Sequence, residues 1–215
     1  MSLTISEITI RKYLPKDKEA IKSIACRTAG VYPRLNRQLI GDLLTAYYTD
    51  YEPQHLLIAE WRGDVGGYLA GCSHTTRSRL IKSLITVPRA VSKALFRGNI
   101  SAQELNYFIV LMEATFRRRD KGDSSPPEGY PAHFHINLKE GLRGRGLGAE
   151  MVKKFLKALK KEDVAGVHVR VKERNGKAQK FFKALGFTYL KRYPMVAPKE
   201  EGYKDSYTVI YGKRL

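Results

Sequence analysis

Residues 7–14 (EITIRKYL) alternate apolar and polar side chains, the period of a strand with one face against a core. The period then changes: Ile21, Ile24 and Ala25 share one face of a helix that starts near Pro15 and stops at Gly30. A second helical pattern covers about 35–49, with Leu39, Ile40, Leu43 and Leu44 at helical spacing. HLLIAEW (55–61) and VGGYLAGC (65–72), joined through RGD, predict a hairpin. Residues 73–131 break this rhythm. Two helical runs, 77–99 and 101–120, are interrupted by Pro88 and by RGN, and the turn-rich KGDSSPPEGYP (121–131) follows. Beyond it the pattern predicts a strand at 132–138, a glycine-rich loop and an amphipathic helix to about Lys161. A strand at 165–171, a short helix at 175–185 and two strands, FTYLKRY and SYTVIYG, complete the chain. Such an order implies a mixed α/β fold (an α+β mixed sheet). We expect a single domain, 1–215, with a helical insertion at about 73–131.

The composition changes this picture in one respect. A hydrophobic content of 43% and a charged content of 28% are ordinary for a globular protein. The formal charge of +18 is not, and the segment 77–121 alone holds ten Lys/Arg against three Asp/Glu. Anionic ligands, nucleic acid and acidic surfaces are all attracted by such a field, so a nucleic-acid-binding module is one reading of the chain. Cys26 and Cys72 lie in apolar surroundings without metal spacing; they read as small buried hydrophobes in a reducing compartment, and no metal is expected. No signal pattern opens the sequence and no apolar run reaches the length of a membrane span, so the expected location is cytoplasmic.

The candidate chemistry begins at EGLRGRGLGAEM (140–151), where Gly144, Gly146 and Gly148 sit between a strand and a helix, interleaved with Arg143 and Arg145. The following helix buries Val152, Phe155, Leu156 and Leu159 on one face, so its first turn falls at the glycines. A helix N-terminus carries unpaired N–H groups and partial positive charge, and missing side chains let a phosphate approach them. An ATPase-type phosphate loop requires Gly-Lys-Ser/Thr, which is absent here. The dinucleotide fingerprint requires G-x-G-x-x-G, whereas this spacing is G-x-G-x-G, although Glu173 imitates its ribose-binding acid.

A second motif, NGKAQKFFKALGF (175–187), has Asn175 as a helix cap, Ala178, Phe181, Phe182 and Leu185 on one face, and Gly186 as the stop. Together, Arg143-x-x-Gly146-x-Gly148 and Asn175-x-x-Ala178-x-x-x-Phe182-x-x-x-Gly186-Phe187 resemble the GNAT superfamily of N-acetyltransferases, which bind acetyl-coenzyme A. The basic helical insertion before YPAHFHINL looks like a subset of that superfamily. The resemblance implies a GNAT-like acyl-CoA-binding fold in which the strands on either side of the loop part to admit the pantetheine arm. The backbone of Ile136 and Leu138 would pair with that arm. Arg143, Gly144, Arg145, Gly146, Leu147 and Gly148 would hold the pyrophosphate, with Asn175 facing the arm and Phe182 beside the cofactor. The implied chemistry is direct attack of an amine on the thioester.

One departure matters. Phe182 occupies the position where the family commonly has a tyrosine thought to protonate the leaving thiolate, and phenylalanine donates no proton. Two readings follow: an acetyltransferase with a lowered rate, for which Tyr189 or Tyr193 are stand-ins, and a non-catalytic acyl-CoA-binding protein. His133 and His135, on one face of their strand, are the candidate general bases, unless they only fill the polar side opposite Phe134, Ile136 and Leu138. Glu60 and Glu113 are poorer candidates. The acceptor, a small-molecule or peptide amine, is expected between 27–36 and the insertion. The basic excess there points to an acidic or phosphorylated one. Tyr32, Tyr47, Tyr48 and Tyr107 either line its pocket or fill the core. Oligomerisation is left open.

Overall fold

The computed structural model describes residues 8–29, 36–98, 100–102, 104–106, 109, 125–194 and 207–215. The N-terminal alternation becomes β1 (Ile8–Lys12), and a short 3-10 turn at Pro15–Asp17 leads into α1 (Lys18–Ala29). Arg11 ties this entry together: its guanidinium donates to Asp17 at 2.7 and 2.9 Å and to Glu60 at 2.6 Å. In α2 (Arg37–Asp50) the Asn36 side chain accepts from the backbone N–H groups of Gln38 and Leu39, capping the helix where the pattern begins. The hairpin is β2 (Leu56–Trp61) and β3 (Asp64–Cys72), turned by Arg62 at φ 50° and Gly63 at φ 82°, the two left-handed residues of a tight turn.

The insertion differs from expectation at Pro88. Helix α3 (Thr75–Ile81) runs through a π turn at Lys82–Thr86 into α4 (Val87–Phe96), so proline does not break the run. Pro88 has no N–H for an i→i−4 bond, and the widened turn, with Val87 N–H reaching the Lys82 carbonyl, absorbs the mismatch. Leu39 of α2 packs with Ala90 and Ala94, which docks the insertion on the α-helical layer. Most of the run 101–120 lies outside the described residues.

After the insertion come β4 (Ala132–Leu138), α5 (Leu147–Lys161), β5 (Gly166–Lys172), α6 (Gly176–Ala184), β6 (Thr188–Pro194) and β7 (Tyr207–Arg214). The seven strands form one sheet in the order β1-β2-β3-β4-β5-β7-β6. One face carries Phe134, Leu138, Val167, Val169 and Val171 and buries Met151, Val152, Phe155 and Leu159 of α5 with Phe182 of α6. Phe155 lies so close to the sheet that a Cβ on Gly71 would meet its ring at 2.3 Å, so Gly71 is a contact requirement. The opposite face packs Tyr68, Ala70 and Cys72 against Ile21, Ile24 and Ala25 of α1 and Tyr47 and Tyr48 of α2. Cys72 is buried as expected, whereas Cys26 is only half-buried, its thiol 3.1 Å from the Arg37 carbonyl.

Candidate cofactor and acceptor site

Among the described strands, β4 and β5 are the only parallel neighbours, and they part almost at once. Only Ala132↔Val167 and His133↔His168 are paired, although both strands run on for several residues. Lys139 N–H bonds back to Gly66 on the β3 side. By strand alternation, the backbone groups of Phe134, Ile136 and Leu138 therefore face the gap. The Leu138 carbonyl is taken by Arg143 Nε at 2.9 Å, a bond that also pins the loop.

The gap leads to the N-terminus of α5. Gly144 and Gly146 sit at φ 76° and 77°, the left-handed region where glycine is favoured, and a Cβ at either would meet nothing within 4 Å. Gly148 differs: a Cβ there would make ordinary contact with Phe181, Ile136 and Leu138, so its place does not depend on backbone freedom. The first intrahelical bond runs from Glu150 N–H to the Gly146 carbonyl. The N–H groups of Leu147, Gly148 and Ala149 are left without partners among the described residues, and no side chain caps the helix. Arg145 Nε donates to the Gly141 carbonyl at 3.1 Å, folding the loop on itself. Across the gap, Asn175 caps α6 through Oδ1, which accepts from Ala178 N–H at 3.1 Å. That bond occupies its oxygen and leaves its amide NH2 as the donor for a ligand. Phe182 is buried in an edge-to-face cluster, with ring centroids 5.9 Å from Phe134, 5.1 Å from Phe181 and 5.5 Å from Phe187.

His133, His135, His168 and Arg170 share the opposite face of the sheet, beside Tyr48 of α2 and Lys82 of the π turn. The hydrogen bonds here have a fixed direction. Lys82 Nζ is a donor only, so Tyr48 Oη, 3.0 Å away, accepts from it and donates its own hydrogen to His133 Nε2 at 2.8 Å. Thr75 donates to the Pro131 carbonyl at 2.6 Å, so His133 carries its hydrogen on Nδ1, which faces Thr75 Oγ1 at 2.8 Å and Cys72 Sγ at 2.9 Å. Both nitrogens of His133 are thus engaged. Burial, with the charge of Lys82 added, lowers its pKa well below the ordinary histidine value.

His135 is held by edge contacts to Tyr48 at 5.8 Å and His133 at 5.6 Å, and its nitrogens have no hydrogen-bond partner among the described residues. Solvent reaches its ring, yet the surrounding protein desolvates it and, with Lys82 and Arg170 nearby, lowers its pKa to about 3. His168, bonded through Nδ1 to the Tyr130 carbonyl, is pushed down to about 4, also mainly by burial. Burial lowers Lys82 to about 8 and raises the Cys72 thiol to about 11. Cys72 beside His133 therefore resembles a nucleophile–base pair but stays a neutral thiol beside a neutral ring.

Residues 114–187 match the acetyltransferase (GNAT) family. Among solved structures, SsHAT is 24% identical, with 97% of this chain and 98% of that one covered and a TM-score of 0.71. A solved acetyltransferase is 15% identical over 96% and 98% of the two chains, with a TM-score of 0.62. The yncA protein of Salmonella typhimurium, solved with acetyl-CoA, is 16% identical over 97% and 94%, with a TM-score of 0.59. This is a GNAT fold, with the family's signature at 114–187.

On the GNAT fold, the residues named from sequence gather around one gap. Ile136 and Leu138 line its β4 edge, Arg143 to Gly148 form the loop at its end, and Asn175 stands across it. Neither tyrosine stand-in for Phe182 is equivalent to it: Tyr189 is 54% exposed on β6, and Tyr193 is buried there with Arg170 over its ring. Tyr47 and Tyr48 are both core residues, and Tyr48 also touches the candidate histidines. Glu60 is held by Arg11; Glu113, Tyr32 and Tyr107 lie outside the described residues. Sequence reasoning missed Lys82, His168 and Arg170. An alternation of His168 and Arg170 within the strand HVRV was the signal for two of them. Among the described residues there is no cluster suited to a metal, and no helix is long and apolar enough to cross a membrane.

Proposed function

We propose that this protein is an acetyl-CoA-dependent N-acetyltransferase, one domain over 1–215 with a helical insertion, acting on a small-molecule or peptide amine. The observation that carries the reading is the early parting of β4 from β5, which exposes backbone groups along a gap ending at the unpartnered N–H groups of α5. An amide-rich pantetheine arm satisfies groups of that kind, and a pyrophosphate suits the helix end. Ile136 and Leu138 offer the strand edge, the turn from Arg143 to Gly148 the anion site, and Asn175 its amide NH2. Both cysteines are unpaired thiols, which fits a reducing, cytoplasmic setting.

In the reaction the acceptor nitrogen bonds the acetyl carbon and the carbon–sulfur bond breaks. The ammonium proton is lost to solvent, and the thiolate leaves. The neutral Cys72 thiol argues against an acyl-enzyme and for direct attack. His133 has no open nitrogen, so His135 is the better candidate to receive an amine hydrogen; its low basicity suits orientation with water as the final base. The burial that, with Arg79 and Arg170 nearby, lowers Lys82 also lowers the pKa of a bound ammonium, which delivers the acceptor in its neutral form. Phe182 cannot protonate the thiolate, but a thiol pKa of roughly 8.5 makes that departure tolerable near neutral pH.

The second reading, an acyl-CoA-binding protein without turnover, rests on Phe182. Thiol release from acetyl-CoA over a panel of amines, with the products identified by mass, separates the two. Amine-dependent release with an acetylated product supports the enzyme. Tight binding without release from any amine would favour the binder.

A further inference from the structure

Within this proposed active site, on which the inference rests, we propose that Lys82 grips an anionic group of the acceptor, which is therefore a small amine bearing a carboxylate or a phosphate. The π turn brings Lys82 out of the insertion and onto the acceptor side of the sheet. Turns of this kind recur at functional sites because they aim one side chain away from the regular helical path. Its Nζ lies 3.0 Å from Tyr48 Oη, 4.3 Å from the centre of that ring and 5.1 Å from the centre of the Tyr47 ring. An ammonium held by one hydroxyl and two aromatic faces has two further hydrogens to place.

No carboxylate lies within ion-pair distance of Lys82 among the described residues. The acid whose charge acts on it, Glu52, is already used: one oxygen accepts from Tyr47 at 2.6 Å, and the other faces His55 Nδ1 at 3.0 Å and Ser73 N–H at 3.0 Å. Of the other groups that act on Lys82 or on the nearby histidines, Cys72, with its pKa raised to about 11, is a neutral thiol near pH 7, and Arg79 and Arg170 are positive. A recess that keeps a cation among cations and aromatic rings is completed by an anion. Because Tyr48 contacts both Lys82 and His135, the anion and the reacting amine of one small molecule can be read around a single ring.

The test compares matched pairs of amines: β-alanine with propylamine, and O-phosphoethanolamine with ethanolamine. Wild type, Lys82→Met and Lys82→Arg are each checked for an unchanged melting profile. We expect kcat/KM to favour at least one anionic member tenfold or more; which pair responds tells carboxylate from phosphate. Lys82→Met should bring that ratio close to one, while Lys82→Arg, which keeps the charge, should retain it. A proton-transfer role for Lys82 would instead be lost in both variants. Calorimetric binding of O-phosphoethanolamine and β-alanine to the CoA-saturated protein gives a readout without turnover, expected to weaken tenfold or more in Lys82→Met alone. If amines are acetylated with no anionic preference, this inference fails and the enzyme reading stands. If nothing is acetylated but the binding pattern holds, Lys82 keeps its anion and the enzyme reading fails. A preference that survives Lys82→Met overturns the assignment.

Discussion

Gly146→Ala separates what the backbone needs from what the ligand needs. At φ 77° an alanine adopts the left-handed conformation at a cost of about 1–2 kcal/mol. Its Cβ meets nothing within 4 Å, so no clash adds to that cost. At roughly 2–4 °C per kcal/mol for a chain of this size, the unliganded melting temperature should fall by about 2–8 °C. Acetyl-CoA at a hundredfold excess over its Kd should raise the wild-type stability by about 2.7 kcal/mol, or roughly 5–11 °C. A methyl group at the helix cap narrows the approach to the N–H groups of 147–149, and each tenfold loss of affinity removes about 1.4 kcal/mol of that gain. Gly63→Ala is the control: it too is left-handed, at φ 82°, with open space around it, but it turns the β2–β3 hairpin. Thermal unfolding of both variants with and without acetyl-CoA should show similar losses without ligand. The ligand-induced rise should shrink in Gly146→Ala alone and vanish in Gly146→Glu. A full rise in both Gly146 variants would refute the argument that this loop holds the pyrophosphate.

Gly71→Ala drives a methyl into the Phe155 ring and should lower stability by about 1–3 kcal/mol, read by urea denaturation; an unchanged midpoint would contradict the packing described. His133, His135 and His168 all have depressed pKa values. Below an unfolded value of about 6.5 the unfolded chain binds protons that the folded one refuses, so stability should fall as pH drops from 6.5 towards 4. Asp17 and Glu52, also lowered, deepen the loss further down as pH passes through their folded values, while His55, raised between Glu52 and Glu162, opposes it. A flat melting temperature from pH 7 to 4.5 would contradict the histidine assignment. Cys72→Ser should retain amine-dependent turnover, and acetyl-CoA without an amine should leave no acetyl mass on Cys72. Iodoacetamide near pH 8 should label the half-exposed Cys26 before Cys72.

The glycine loop and the helix cap beside the gap were legible because their signals are local. Gly144 and Gly146 mark left-handed backbone, Asn175 caps the helix it precedes, and the strand and helix periods around them need no tertiary knowledge. The cluster of histidines with Lys82 on the other face was not legible, because tertiary register makes it. His168 reads as one residue of an apolar strand until its pairing with His133 brings two histidines side by side. Lys82 reads as one of many lysines on a basic helix. Only the π turn and the docking of α4 on α2 bring it to Tyr48. The two histidines found from sequence were correctly set on one face, but only their partners show that His133 is locked and His135 is open. Pro88 reads as a break, whereas the chain widens its helix around it.

Backbone amide exchange, followed residue by residue with and without saturating acetyl-CoA, tests the central claim most directly. The account predicts added protection at Ile136 and Leu138 and at the first turn of α5, residues 147–149, with little change on β1 and β2. Binding that protects none of these amides, or no binding at all, would contradict it.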